Sequence, residues 1–248
     1  MTLPTDPVFL TTASLAIILV GLGKGGFSGL GAASMPLLAL VMDPVKAAAM
    51  LLPILLLQDV VGVWAFRKSF DLETLKLMVP GAVVGIFLGW LLATLVPSDM
   101  VRGAVGVIAV AFGGYRLLGL KVGLARPLPR WLGGFLGVLS GFTGQVALSG
   151  GPPFQIWALT RKLPHTVFIG TSSIFFAITN WIKVPAYIAL GQFTADNFTL
   201  TAVFLPIAVI STFAGVWLVK RVDAERFYTL INLLMIAVGM TLLWDTLR

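Results

Sequence analysis

The sequence has no cysteine, a single histidine (His165), and charged residues at only 11% of its 248 positions. Without cysteine there can be no disulfide scaffold, thiolate nucleophile, iron–sulfur cluster or cysteine-type zinc site. One histidine leaves no cluster for a transition metal, so no metal and no cofactor are expected. A soluble domain carries about 25% charged residues, which it needs to keep its surface in water. With 58% hydrophobic residues, this chain cannot build such a surface, and its expected partner is the lipid bilayer. The net charge of +7 does not indicate nucleic-acid binding, because no basic run with interleaved aromatics exists. The basic residues fall instead in short loops between apolar segments.

A bilayer core takes about 20 apolar residues per helix. Six stretches meet that length: Val45–Phe66, Leu75–Val96, Val101–Leu120, Thr166–Leu190, Phe198–Val219 and Phe227–Trp244. Two further regions are broken by glycine. Val8–Met42 is interrupted at Gly21–Gly31, and Trp131–Leu159 at Gly141–Pro153. Each reads as a helix–break–helix hairpin that leaves on the side it entered, whether it spans or is re-entrant. Three crossings then follow each hairpin, which gives the two halves opposite orientation. Charge agrees with this parity. One side collects Arg67, Lys68, Lys76, Arg116, Lys121, Arg126, Arg130, Arg161, Lys162, Lys220, Arg221 and Arg226, against Lys46, Arg102 and Arg248 on the other. Basic loops stay cytoplasmic, so both termini are expected outside a cell inner membrane. The first seven residues contain no Lys or Arg, so no signal-peptide n-region is expected.

The halves also resemble each other. Gly26-Phe27-Ser28-Gly29, followed by Ser34 and Pro36, recurs as Gly141-Phe142-Thr143-Gly144, followed by Ser149 and Pro152. Pro44 matches Pro164, Asp59 falls close to Asn180, Pro80–Gly89 matches Pro206–Gly215, and Asp99-x-x-Arg102 matches Asp223-x-x-Arg226. The expected fold is therefore an all-α integral membrane protein of two inverted repeats, residues 1–124 and 125–248. Each repeat is a broken-helix hairpin followed by three transmembrane helices. Such a design places a substrate near the midplane, where broken helices meet.

The half-helix after each break is expected to begin near Gly31–Pro36 and near Ser149–Pro153. A helix N-terminus favours an anion, through free N–H groups and its partial positive charge. Two such ends converging from opposite faces would hold one small anion, with Gly25, Ser28, Ser34, Thr143, Gln145, Ser149 and Gly150 as candidate neutral contacts. The plainer reading of these glycines is close helix packing. Lys24 lies inside the first break, where an ammonium is either functional or snorkels to the interface. Lys183 carries the same two readings. Asp59 is the only acid at depth, a counter-ion to either lysine or a proton carrier. Asn180, Gln58 and Gln155 are either substrate contacts or interhelical glue. His165 reads as a polar residue entering a helix. Trp64, Trp90, Trp131, Trp181, Trp217 and Trp244 read as an interfacial belt, and Trp157 as a lining residue of the second hairpin.

The run Gly23-Lys24-Gly25-Gly26-Phe27-Ser28-Gly29-Leu30-Gly31, followed by Met35-Pro36-Leu37-Leu38, resembles the first-half motif of the sulfite exporter TauE/SafE family. Gly141-Phe142-Thr143-Gly144 with Ser149-Gly150-Gly151-Pro152-Pro153-Phe154 is similar to its second-half motif, and Asn180-x-x-Lys183-x-Pro185 adds to the likeness. The resemblance spans essentially the whole chain. It implies a permease, not an enzyme, for small sulfur-containing anions such as sulfite, sulfonates or sulfoacetate. The expected mechanism is alternating access. The hairpin tips and Lys24 bind the oxyanion, Asn180 and Lys183 complete its shell, and Asp59 balances charge or couples a proton. A coupling proton or sodium ion and a homodimer are carried as expectations. An anion channel of similar fold is the alternative. A rhomboid-like serine protease, suggested by Gly26-Phe27-Ser28-Gly29, would need a histidine facing Ser28.

Overall fold

The computed structural model describes residues 6–27, 29–93, 95–118, 129–219, 221 and 225–247. No strand occurs among them. The helices are α1 (Pro7–Lys24), α2 (Ser34–Val41), α3 (Pro44–Phe66), α4 (Leu72–Ala93), α5 (Ser98–Leu117), α6 (Arg130–Ala147), α7 (Gly151–Thr160), α8 (His165–Ala189), α9 (Ala195–Leu218) and α10 (Glu225–Leu247). A 3-10 turn at Leu30–Ala33 leads into α2. Seven helices (α1, α3, α4, α5, α8, α9 and α10) are long and apolar enough to cross a membrane. The shorter α2 and α7 return from the two breaks.

The ends of these helices follow from local chemistry. Asp6 and Asp43 cap α1 and α3, each accepting from two backbone N–H groups ahead of it. Pro7 and Pro44 occupy the first helical position, where a missing N–H costs nothing. Pro53, Pro80, Pro185 and Pro206 lie inside helices, which a bundle tolerates because neighbouring groups satisfy the freed carbonyls.

Packing runs through small residues, as expected where lipid offers no hydrophobic drive between helices. α4 lies along α6, α1 along α9, α5 along α10, and α3 along both α8 and α9. Gly85 of α4 approaches α6 so closely that a Cβ there would stand 2.0 Å from the Val138 carbonyl oxygen. Gly25 meets α9 in the same way, with a Cβ falling 2.5 Å from the Gly215 Cα. The larger core gathers around α3, whose Ala47–Leu52 run is buried. A smaller aromatic core stacks Phe154 on Phe175, ring centroids 4.8 Å apart, beside Trp157 and Met78.

Around this core the surface is apolar: Phe87, Leu91, Ile210 and Leu230 are all exposed. An apolar face of this extent needs a non-aqueous surrounding, and with seven helices long and apolar enough to cross a bilayer the protein is an integral membrane protein. Trp64, Trp131, Trp181, Trp217 and Trp244 are exposed on it, and Trp90 is half-buried beside Phe87. At the end carrying most of the basic loops, Arg161 bonds Glu73 at 2.5 Å, and Arg130 reaches the same carboxylate at 3.2 Å. These pairs tie the second hairpin to the start of α4.

Candidate functional site

The first break stops α1 by a glycine terminus. The Gly25 N–H donates to the Gly21 carbonyl and the Phe27 N–H to the Leu22 carbonyl, a six-to-one closure of the helix end. Gly26 and Gly29 hold φ of +133° and +102°, a region in which side chains are strained. The chain then turns into α2.

The second break is shorter than the sequence suggests. α6 continues through Gly141-Phe142-Thr143-Gly144 to Ala147, leaving only Leu148–Gly150 outside helices. The reason is packing. Gly141 sits against α4, where a Cβ would meet the Ala82 carbonyl oxygen at 2.1 Å. The Thr143 hydroxyl donates back to the Leu139 carbonyl at 2.7 Å inside its own helix. In this half the glycines serve contact, not a break. Closure comes instead from the Ser149 N–H to the Thr143 carbonyl, and from the Ser140 hydroxyl to the Gly150 carbonyl at 2.6 Å.

Both half-helix starts open on one cavity of about 130 Å³. Gly31, Ala32 and Ser34 line it from the first hairpin, and Ser149, Gly150 and Gly151 from the second. Each start contributes N–H groups and the positive end of a helix dipole. The Ser34 hydroxyl oxygen is buried without a partner.

A chain of four polar side chains crosses the cavity wall. Lys24 forms an ion pair with Asp59. The other oxygen of Asp59 accepts from Asn180 Nδ2 at 2.7 Å. Asn180 Oδ1 accepts in turn from Lys183 Nζ at 3.1 Å. Among the described residues no carboxylate lies within ion-pair distance of Lys183. Lys24, Asn180 and Lys183 line the cavity, whereas Asp59 stands behind it. With both lysines protonated, two ammoniums and one carboxylate give this buried cluster a formal charge of +1. Phe176 closes the wall beside Lys24, with Nζ 5.3 Å from its ring centroid. A cation over an aromatic face is stabilised by the ring quadrupole.

The chain matches the description "Sulfite exporter TauE/SafE" over residues 13–242. It belongs to the sulfite exporter TauE/SafE family. No curated protein and no solved structure matches it. The protein is thus a multi-pass member of a membrane transporter family, and members of that family are transporters, not enzymes.

Within this family member the sequence-based candidates divide clearly. Lys24, Ser34, Ser149, Gly150, Asn180 and Lys183 surround the cavity. Lys183 does not snorkel; its residue is 3% exposed and enclosed, with Gly144 leaving room for the ammonium, 3.2 Å from where a Cβ would stand. Gly25 is not a contact of the cavity, because it is committed to α9. Gln145 does not line it either. It sits on the α4 side of α6 and faces a separate, smaller cavity. Ser28 lies outside the described residues. Gln58 donates to the Ala208 carbonyl at 3.2 Å, so it ties α3 to α9. Trp157 is buried against Gly133 in the aromatic core and does not line the cavity. His165 is exposed at the first residue of α8 and does not line the cavity.

Gln155, read from the sequence as a contact or as interhelical glue, lines the cavity, and so do Ser172, Ser173 and Phe176, which the sequence reading did not single out. A usable signal existed. Ile169, Ser172, Ser173, Phe176, Asn180 and Lys183 recur at helical spacing along α8, so they share one face.

Proposed function

We propose that the protein carries small sulfur oxyanions, with sulfite the reference substrate and organosulfonates in the same class. The substrate sits in the cavity between the two hairpin breaks. The observation that carries this reading is the enclosed cluster of Lys24, Asp59, Asn180 and Lys183, two basic groups to one acid, beside two half-helix starts. A water site needs only about 10–15 Å³ of comparable volume, so a cavity of about 130 Å³ has room for an oxyanion with some of its water. Lys183 and the Asn180 amide supply charge-assisted and neutral donors. The Ser34 hydroxyl, lacking a partner, supplies another. Asp59 holds Lys24 and Asn180 in place and keeps the charge at +1, so that the anion is released as well as bound.

The carrier works by alternating access between two inverted repeats, 1–124 and 125–248. This reading is supported by the way the halves pack. Matching α1–α5 in order with α6–α10 makes the α1–α9 contact the counterpart of the α6–α4 contact, while α3–α8 and α5–α10 map onto themselves. The twelve basic loop residues support a cytoplasmic-membrane location with both termini outside. Proton coupling through Asp59 is part of the same proposal, with sodium the alternative coupling ion.

The test is thermal unfolding of purified protein with sulfite, sulfate, sulfoacetate, taurine and chloride. A ligand that binds only the folded state at 100 times its Kd adds about 2.7 kcal/mol. Stabilisation by sulfite or a sulfonate that disappears in Lys24→Ala supports the proposal. Equal stabilisation by every anion, or by none, refutes a specific sulfur-oxyanion site.

A further inference from the structure

The smaller cavity, of about 70 Å³, is lined by Ala48, Ala93, Gln145 and Tyr187 among others. The geometry points to this cavity as the second half of the transport path, with Gln145 its polar station and the layer at Leu148 the barrier between the halves. This inference rests on the transport reading above and deepens it.

Two helices contribute to both cavities within one turn, and the end of a third leads from one cavity to the other. α3 gives Leu51 to the first cavity and Ala48 to the second. α8 gives Lys183 to the first and Tyr187 to the second. The end of α6 gives Gln145 to the second, and Leu148 follows it into the first. Residues three or four apart on a helix stand about 5–6 Å from each other on one face. The two cavities are therefore separated by one layer of side chains, not by the thickness of a core.

They also lie toward opposite ends of the bundle. The first cavity extends to Ile169, one turn from the start of α8. The second lies at the opposite end of the same helix, with the last residue of α4 and the beginning of α3.

Gln145 gives the second cavity a buried polar group, beside Tyr187 and Gln192 in the same lining. The residue is 5% exposed, and its Oε1 is buried without a hydrogen-bond partner. Gly89 makes space for it: a Cβ there would stand 2.9 Å from the Gln145 Cβ. A buried polar atom is normally satisfied, so an unpartnered one beside a cavity marks where a polar occupant belongs. An amide both donates and accepts. It therefore suits a monoanion still carrying water, or hydrogen sulfite, whose O–H can donate to Oε1. No Lys or Arg lines this cavity, so the anion passes through it more loosely than through the first. Leu148, which lines the first cavity three residues after Gln145, has a φ of 48°, a conformation rare for a residue with a side chain.

The cysteine-free chain makes the test direct. Ala93→Cys reports on the second cavity and Ser173→Cys on the first. Both are exposed to a charged, membrane-impermeant maleimide in right-side-out and in inside-out vesicles, and the reagent is washed away before sulfite is added. Each cysteine is expected to react at least tenfold faster from one face, and the two from opposite faces. Gln145→Leu is expected to slow sulfite counterflow at least tenfold while changing sulfite binding less than threefold. Labelling of both cysteines from the same face, no labelling of Ala93→Cys from either face, or wild-type counterflow in Gln145→Leu would overturn the inference. Opposite sidedness in a protein that moves no sulfite would support the two-cavity path and refute the sulfite reading alone.

Discussion

The Lys24–Asp59 pair offers the sharpest energetic test, because it joins the end of α1 to the middle of α3 and sets the charge of the cavity. The Asp59 side chain is 2% exposed and that of Lys24 13%. Removing one member of a buried pair costs about 3–5 kcal/mol, since the other charge is left uncompensated. Lys24→Met belongs at the upper end, because it leaves an enclosed carboxylate with only the Asn180 amide. Asp59→Asn belongs at the lower end, because Lys24 keeps the Phe176 ring and some access to water. At about 2–4 °C per kcal/mol for a chain of this size, a loss of about 3 kcal/mol lowers the midpoint by roughly 6–12 °C. The double variant buries neither charge and should be more stable than either single one. Thermal unfolding in detergent, followed by tryptophan fluorescence, reads all four proteins. Anion affinity provides an independent readout. Lys24→Met leaves the cluster neutral and should lose sulfite binding. Asp59→Asn should tighten binding, and the double variant, back at +1, should retain part of it. Additive stability losses, or a double variant that binds no better than Lys24→Met, would refute the charge argument.

Three further outcomes follow from the packing of the bundle. Gly85→Ala forces a Cβ against the Val138 carbonyl of α6 and should cost at least the 1–3 kcal/mol typical of overpacking. Gly114→Ala has nothing within 4 Å of the new methyl group and should gain up to about 1 kcal/mol from helix propensity; the same unfolding assay reads both. Asn180→Ala removes the amide between Asp59 and Lys183. A hydrogen bond to a charged group contributes about 1.5–3 kcal/mol, so the variant should lose that much stability and bind sulfite at least tenfold more weakly by isothermal titration.

Much of this arrangement was legible in the sequence because a bilayer imposes length. All six single crossings were found, since about 20 apolar residues and a charged loop leave little choice of boundary. Lys24 and Asn180 were singled out because polar groups are scarce at depth. The second break was harder. Gly141 and Gly144 carry the same residue type as Gly26 and Gly29, yet one pair packs a continuous helix and the other ends one. A glycine that permits a positive φ and a glycine that permits a close neighbour look the same in a sequence; only the facing helix tells them apart. Gln145 lies away from the first cavity for the same reason: with α6 unbroken to Ala147, it turns toward α4 and into the second cavity. The burial of Lys183 was undecidable beforehand, because its long stem could reach either an interface or a cavity. The periodic polar face of α8 could have resolved it.

The most direct measurement of the central claim is counterflow of radiolabelled sulfite into proteoliposomes, comparing wild type with Lys183→Gln. The account predicts a saturable wild-type flux stimulated by sulfite on the opposite side. In the variant it predicts a loss of at least tenfold, the equivalent of one charge-assisted hydrogen bond of about 1.5–3 kcal/mol. A flux without trans-stimulation would indicate a channel. No flux in wild type, or equal flux in both proteins, would contradict an anion carrier built around Lys183.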